Sequence, residues 1–150
     1  TMTTGDVIIR VKGIQAMGEE DTPEPVEVVT VGKHYFRNGS HYLRYDELME
    51  GFQEPSVNYI KLSPDSVEVR KKGLTNVHMV FEHKKKNITF YTTPFGQLEL
   101  GISTTDIQMQ EEEDRIHADV EYALEINNEH AADCWISIEV EDKKPGVFTL

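Results

Sequence analysis

A second cysteine is missing from this chain of 150 residues, so Cys134 has no partner for an internal disulfide, and a lone thiol points to a reducing compartment. No apolar run approaches the roughly 20 residues that a membrane-spanning helix needs. The opening stretch TMTTGDVIIRVKG lacks a basic segment followed by unbroken apolar residues, so no secretory signal is expected. These absences make the cytoplasm the expected compartment, with no membrane partner. Basic residues are scarce too: 15 Lys and Arg stand against 27 Asp and Glu, for a net charge of -12. Non-specific affinity for nucleic acid comes from basic side chains that release counterions, so nucleic acid is not expected as a partner. The acid surplus speaks first to solubility.

The motifs of common chemistries are absent as well. Neither an HExxH run nor a pair of Cys-x-x-Cys steps occurs, and His34, His41, His78 and His83 do not make the converging set of three or four ligands that a metal needs. There is no Gly-x-Ser-x-Gly elbow and no glycine-rich loop opening a helix onto a phosphate. Cys134 falls on the apolar side of its strand beside Ile136 and Ile138, the setting of an inert buried thiol rather than of a nucleophile. Carboxylates cluster at Asp46-Glu47 and over residues 111–114, where a solvated charge run at a loop is the expectation. No catalytic residue, metal or cofactor follows, and a non-enzymatic role is expected.

What the sequence does contain is period two. RIHADVEYALEI sets Ile116, Ala118, Val120, Tyr122, Leu124 and Ile126 on one side of a strand and His117, Asp119, Glu121 and Glu125 on the other. VIIRVK and CWISIEVE alternate in the same way, and VEVVTVGKHYF, SVNYIKL, SVEVRK, NVHMVFE, NITFYTT and QLELGISTTDIQM are further β-rich runs. With the second arm of the hairpin described next, ten strands are predicted and no helix. Turn signals stand between them at Asn38-Gly39, 63–65, Lys72-Gly73, 84–87, 94–96, 111–114 and Asn127-Asn128. Residues 17–25 read as a flexible loop, and residues 1–5 and 143–150 as loose termini of a single domain over 1–150. Short connections imply antiparallel neighbours in an up-and-down meander. A sheet this large with one apolar face folds over or closes, so the predicted fold is an all-β antiparallel barrel of about 8 to 10 strands.

Asn38-Gly39 fixes one register outright. A type I′ turn there pairs Arg37 with Ser40, Phe36 with His41, Tyr35 with Tyr42, His34 with Leu43 and Lys33 with Arg44. His34, Phe36, His41, Leu43 and Tyr45 then share the more buried face. Lys33, Tyr35, Arg37, Tyr42, Arg44 and Asp46 share the other, where a cross-strand tyrosine pair accounts for the aromatic density and Arg beside Tyr leaves room for an anionic ligand. Arg70-Lys71-Lys72 and Lys84-Lys85-Lys86 are expected as solvated charge at turns, with one basic rim shared with His78, His83 and Tyr91 at one end of the sheet as the alternative. Within a barrel cavity the polar anchors expected are Tyr45, Glu47 and Arg70, with Tyr42 and Tyr91 completing the candidate ligand site. Alternation in SVEVRKK nonetheless turns Arg70 away from Val67 and Val69, so Arg70 joins only if the strand bulges, and otherwise pairs with Glu47.

The ordered segments VKGIQ, GKHYFRNGSHYLRYDE, VEVRKKG, MVFE, YTTPFGQLELGI and YALEINNE cover the chain from about Asp6 to Glu141. In that order they resemble the YwiB-like family of uncharacterised bacterial proteins. The resemblance implies a calycin-like barrel, related in shape to lipocalins and avidins, in a cytoplasmic bacterial protein, and it brings no catalytic residues. Barrel size then points to a small apolar or amphipathic ligand held inside, by a monomer or homodimer. A structural or protein-interaction module with a filled core is the alternative.

Overall fold

A computed structural model describes residues 4–16, 25–48, 55–73 and 76–143. Most of the expected flexible loop and C-terminal tail therefore lie outside the described residues. The strands are β1 (Gly5–Ala16), β2 (Val26–Arg37), β3 (Ser40–Glu47), β4 (Ser56–Ser63), β5 (Ser66–Lys72), β6 (Val77–Glu82), β7 (Lys86–Thr93), β8 (Gly96–Glu111), β9 (Arg115–Ile126) and β10 (Glu129–Asp142). Among the described residues there is no helix. Gly5, expected in a loose terminus, opens β1, and Lys143 donates its backbone N–H to the carbonyl of Asp6 at 3.1 Å.

All ten strands form one antiparallel sheet in the order β6-β5-β4-β3-β2-β1-β10-β9-β8-β7. The first and last strands pair along ten residues, from Val7 with Asp142 to Ala16 with Asp133. The sheet thereby wraps into a nearly closed barrel whose ends meet in the middle of the chain, at β6 and β7. Across that seam, among the described residues, one isolated backbone bridge links Asn76 to Thr92. At its other end the β6–β7 connection is tied to β8, with Lys84 N–H on the Thr104 carbonyl at 2.9 Å and Thr104 N–H on the Lys85 carbonyl at 3.1 Å.

The hairpin register is the one that Asn-Gly dictates, residue for residue. Asn38 and Gly39 have φ of 51° and 79°, and Asn127 and Asn128 repeat the conformation between β9 and β10 at 49° and 69°. Period two sets the core: Val7 and Ile9, Leu43, Ile60 and Leu62, Ile116, Ala118 and Val120, Ile138 and Val140 all point inward and are buried. Phe81 of β6 packs its ring against Tyr122 of β9, centroids 4.8 Å apart, filling the interior beneath the seam.

Three readings need correction. Phe36 lies at the hairpin tip and is 44% exposed, because the strand there has run past its cover. The turn expected over 84–87 is His83-Lys84, and Lys86 already belongs to β7. The two lysine clusters do not form one rim. Successive turns of a meander alternate between the two ends of the sheet, so Arg70-Lys71-Lys72 and Lys84-Lys85-Lys86 lie at opposite ends of β6.

Candidate functional site

Outward-pointing side chains of β2 to β5 line a groove of about 780 Å³ on the barrel's outer wall. Three tyrosines face it, Tyr35, Tyr42 and Tyr59, with five cations, Arg37, Arg44, Lys61, Arg70 and Lys72, and one carboxylate, Glu68. The register arranges them in rows across the strands. One row runs Lys33, Arg44, Tyr59, Arg70, His78, and the next runs Tyr35, Tyr42, Lys61, Glu68, Val80. The Lys61 ammonium lies over the Tyr42 ring at 5.6 Å, and that of Lys72 over the Tyr59 ring at 5.8 Å. Glu68 is held by His78 Nε2 at 2.5 Å and approached by Arg70 at 3.9 Å. Arg44 reaches Asp46 at 4.0 Å, so neither arginine makes a hydrogen bond with its nearest acid. Tyr35 and Tyr59 are 48% and 39% exposed, high for rings of this size.

A second polar cluster faces inward near the opposite surface of the same strands. Tyr45, Asn58 and Lys71 are paired neighbours across β3, β4 and β5, with Glu47 beside them accepting from Lys71 Nζ at 2.9 Å. Asn58 is 5% exposed, and its Nδ2 has no hydrogen-bond partner among the described residues. Burial, with the Glu47 charge adding to it, pushes the Tyr45 hydroxyl from its ordinary 10.0 up to about 12. Farther down the barrel, His34 and His41 are buried and stacked, centroids 5.1 Å apart, with His34 Nε2 2.8 Å from His41 Nδ1. His41 Nε2 in turn meets Glu111 at the end of β8. No group of three or more His, Cys, Asp or Glu side chains suited to a metal occurs among the described residues.

The candidate residues are therefore divided between the two faces. Tyr42 and Arg70 lie in the outer groove, Tyr45 and Glu47 in the inner cluster, and Tyr91 on the inward register of β7, opposite Leu98. Arg70 obeys the alternation and β5 carries no bulge, so it does not meet Tyr45, and the Glu47 carboxylate pairs with Lys71 instead. Sequence reasoning missed Tyr59, Lys61 and Lys72 as groove residues and Asn58 as an inner one. The signal was available in SVNYIKL, where Tyr59 and Lys61 alternate with Ile60 and Leu62. Their meeting with the hairpin tyrosines depends on the β3–β4 register, which no turn dipeptide fixes.

Comparison with known proteins yields a fold and a family. The uncharacterised β-barrel protein YwiB of Bacillus subtilis (strain 168) is 25% identical over 123 residues, covering 82% of this chain and 84% of that protein. The crystal structure of the ywiB protein from Bacillus subtilis superposes with a TM-score of 0.79 over 94% of both chains at 23% identity, which shows the fold. Residues 9–138 match the family described as a domain of unknown function (DUF1934), and the chain belongs to that YwiB-like family of β-barrels.

Proposed function

We propose that this protein is a non-enzymatic binding module that takes a small anionic ligand in the outer groove of β2 to β5. The observation that carries the reading is a local reversal of charge: five cations against one carboxylate converge on one concavity of a chain whose net charge is -12. At about 780 Å³ the concavity is within the range that holds a small ligand. Thermal unfolding with and without pyrophosphate at constant ionic strength tests it. A ligand that binds only the folded state raises the melting temperature, so the wild type should rise and Arg44→Gln/Arg70→Gln should not. Equal rises in both, or none in either, would overturn the assignment.

Asn58 favours a second reading, a small amphipathic ligand inside the barrel. A buried amide N–H₂ without a partner costs about 1–3 kcal/mol, which a ligand oxygen beside Lys71 and Glu47 would recover. Val69 and Met79, paired on the same inward face, would meet its apolar part. A metabolite extract that raises the melting temperature of Arg44→Gln/Arg70→Gln but not of Asn58→Leu would establish this site instead.

A further inference from the structure

We infer that the outer groove is built for a nucleoside polyphosphate, with a planar base stacked on the tyrosines and the phosphates held by the arginines. This rests on the anion-binding reading above and goes beyond it by assigning the aromatic half of the ligand. Arg44, Tyr59 and Arg70 are directly paired across three adjacent strands. With strands about 4.8 Å apart, the two arginines flank Tyr59 in one row, their backbone positions about 10 Å apart. Each guanidinium is a planar fork suited to bidentate phosphate contact, and among the described residues each stands beyond hydrogen-bond range of its nearest carboxylate, at 4.0 Å and 3.9 Å.

The rings supply the other half. Tyr59 is two residues from Lys61, the direct partner of Tyr42, so Tyr42 and Tyr59 are diagonal neighbours. Such neighbours stand about 7–8 Å apart. That is a spacing of backbone positions, and at it both rings are within reach of one planar base. In the free protein the ring faces are covered by Lys61 and Lys72 at 5.6 Å and 5.8 Å. A cation over an exposed ring strengthens an interaction about two- to fivefold, whereas a base stacked on a ring contributes from about fivefold to over a hundredfold. The exchange therefore favours the base, and it releases two ammonium groups to the phosphates.

Ligand size follows from charge. A long polyanion would lie across acidic surface as well, within the screening distance of about 10 Å at 0.1 M salt, and a chain of net charge -12 repels it. A mononucleotide fits inside the cationic groove. A fatty anion is poorly served, because the aliphatic side chains that border the groove, Leu43 and Ile60, are buried in the core.

Calorimetric titration of the full chain with ADP, pyrophosphate and adenosine at fixed ionic strength tests the inference. ADP is expected to bind at one site at least tenfold more tightly than either fragment. Tyr59→Leu should erase that advantage while leaving pyrophosphate affinity unchanged, which also reports an intact fold. Arg44→Gln/Arg70→Gln should weaken ADP and pyrophosphate together by at least tenfold. Equal affinity for ADP and pyrophosphate would overturn the aromatic half and leave a plain anion site. No binding of either, or binding that ignores the arginine substitutions, would overturn the anion-binding reading itself. A single-stranded octanucleotide binding more tightly than ADP at the same salt would overturn the choice of a small ligand.

Discussion

At the scale of the residue, two kinds of side chain depend on the barrel's tight interior. Tyr45 and Tyr122 keep their hydroxyls neutral because burial disfavours the phenolate, and each has its pKa raised. For Tyr45 the rise from 10.0 to about 12 means that the unfolded chain loses this proton first as pH climbs. The fold then binds more protons than the unfolded state, so stability is complete below pH 10 and falls as pH rises toward 12. Two pKa units correspond to about 2–3 kcal/mol. Urea unfolding between pH 10 and 12 should show the wild type losing stability faster than Tyr45→Phe; parallel losses would show that Tyr45 does not titrate as assigned. Gly32 depends on space rather than charge. A Cβ built on it would stand 2.5 Å from the Arg44 carbonyl oxygen of β3 and 2.5 Å from Ile9 Cδ1 of β1. Overpacking of that kind costs about 1–3 kcal/mol, so Gly32→Ala should lower the urea midpoint, and an unchanged midpoint would mean that β2 can shift freely there.

At the scale of the element, the β2–β3 hairpin does the most. Its tip fixes the register, and the register sorts eleven side chains into a face that carries tyrosines and arginines and a face that carries the histidines. That sorting was legible in the sequence because Asn-Gly admits one common turn geometry. Less legible was β8, where Ile102 and Ile107 are both core-directed although five residues apart. A bulge between Thr104 and Asp106 resets the alternation, and the odd spacing in GISTTDIQM is its trace. The inner face holds a polar chain that no motif announces. His41 Nδ1 bonds His34 Nε2 and His41 Nε2 bonds Glu111, so one imidazole ties two partners together. The chain links the hairpin to the end of β8, four strands away in sheet order from β2. His41→Leu should therefore destabilise by about 1–3 kcal/mol, since it removes the ring that bonds both His34 and Glu111. His34→Leu/His41→Leu should recover part of that loss in a double-mutant cycle of urea unfolding; strict additivity would show that the two rings do not act together.

At the scale of the whole molecule, the open question is where a barrel is weakest. Hydrophobic alternation gave ten strands and a barrel, but it is silent on where that barrel fails to close, and the seam between β6 and β7 was not legible because those two strands are joined by a short turn like any hairpin. The cause is physical: the His83-Lys84 connection is anchored to the bulged part of β8 through Thr104, which draws the start of β7 away from β6. Apart from the Asn76–Thr92 bridge, the facing edges of β6 and β7 show no ladder pairing among the described residues. Short strands and lysines are known means of blunting such edges, and β6 has six residues while Lys84, Lys85 and Lys86 lead into β7. The outer face of β7 remains apolar at Ile88 and Phe90, and Phe95 in the following turn is 99% exposed. By contrast, β1 and β10 are paired on both sides along most of their length. Local stability should follow that difference, because an amide without a ladder partner exchanges through small openings while a doubly paired strand needs the whole sheet to yield. Native-state hydrogen exchange should find the seam-facing amides of β6 and β7 exchanging first and those shared by β1 with β10 last, at rates approaching global unfolding. Equal protection in both regions would mean that the barrel closes in solution by pairing β6 with β7, and that the seam is not its weakest line.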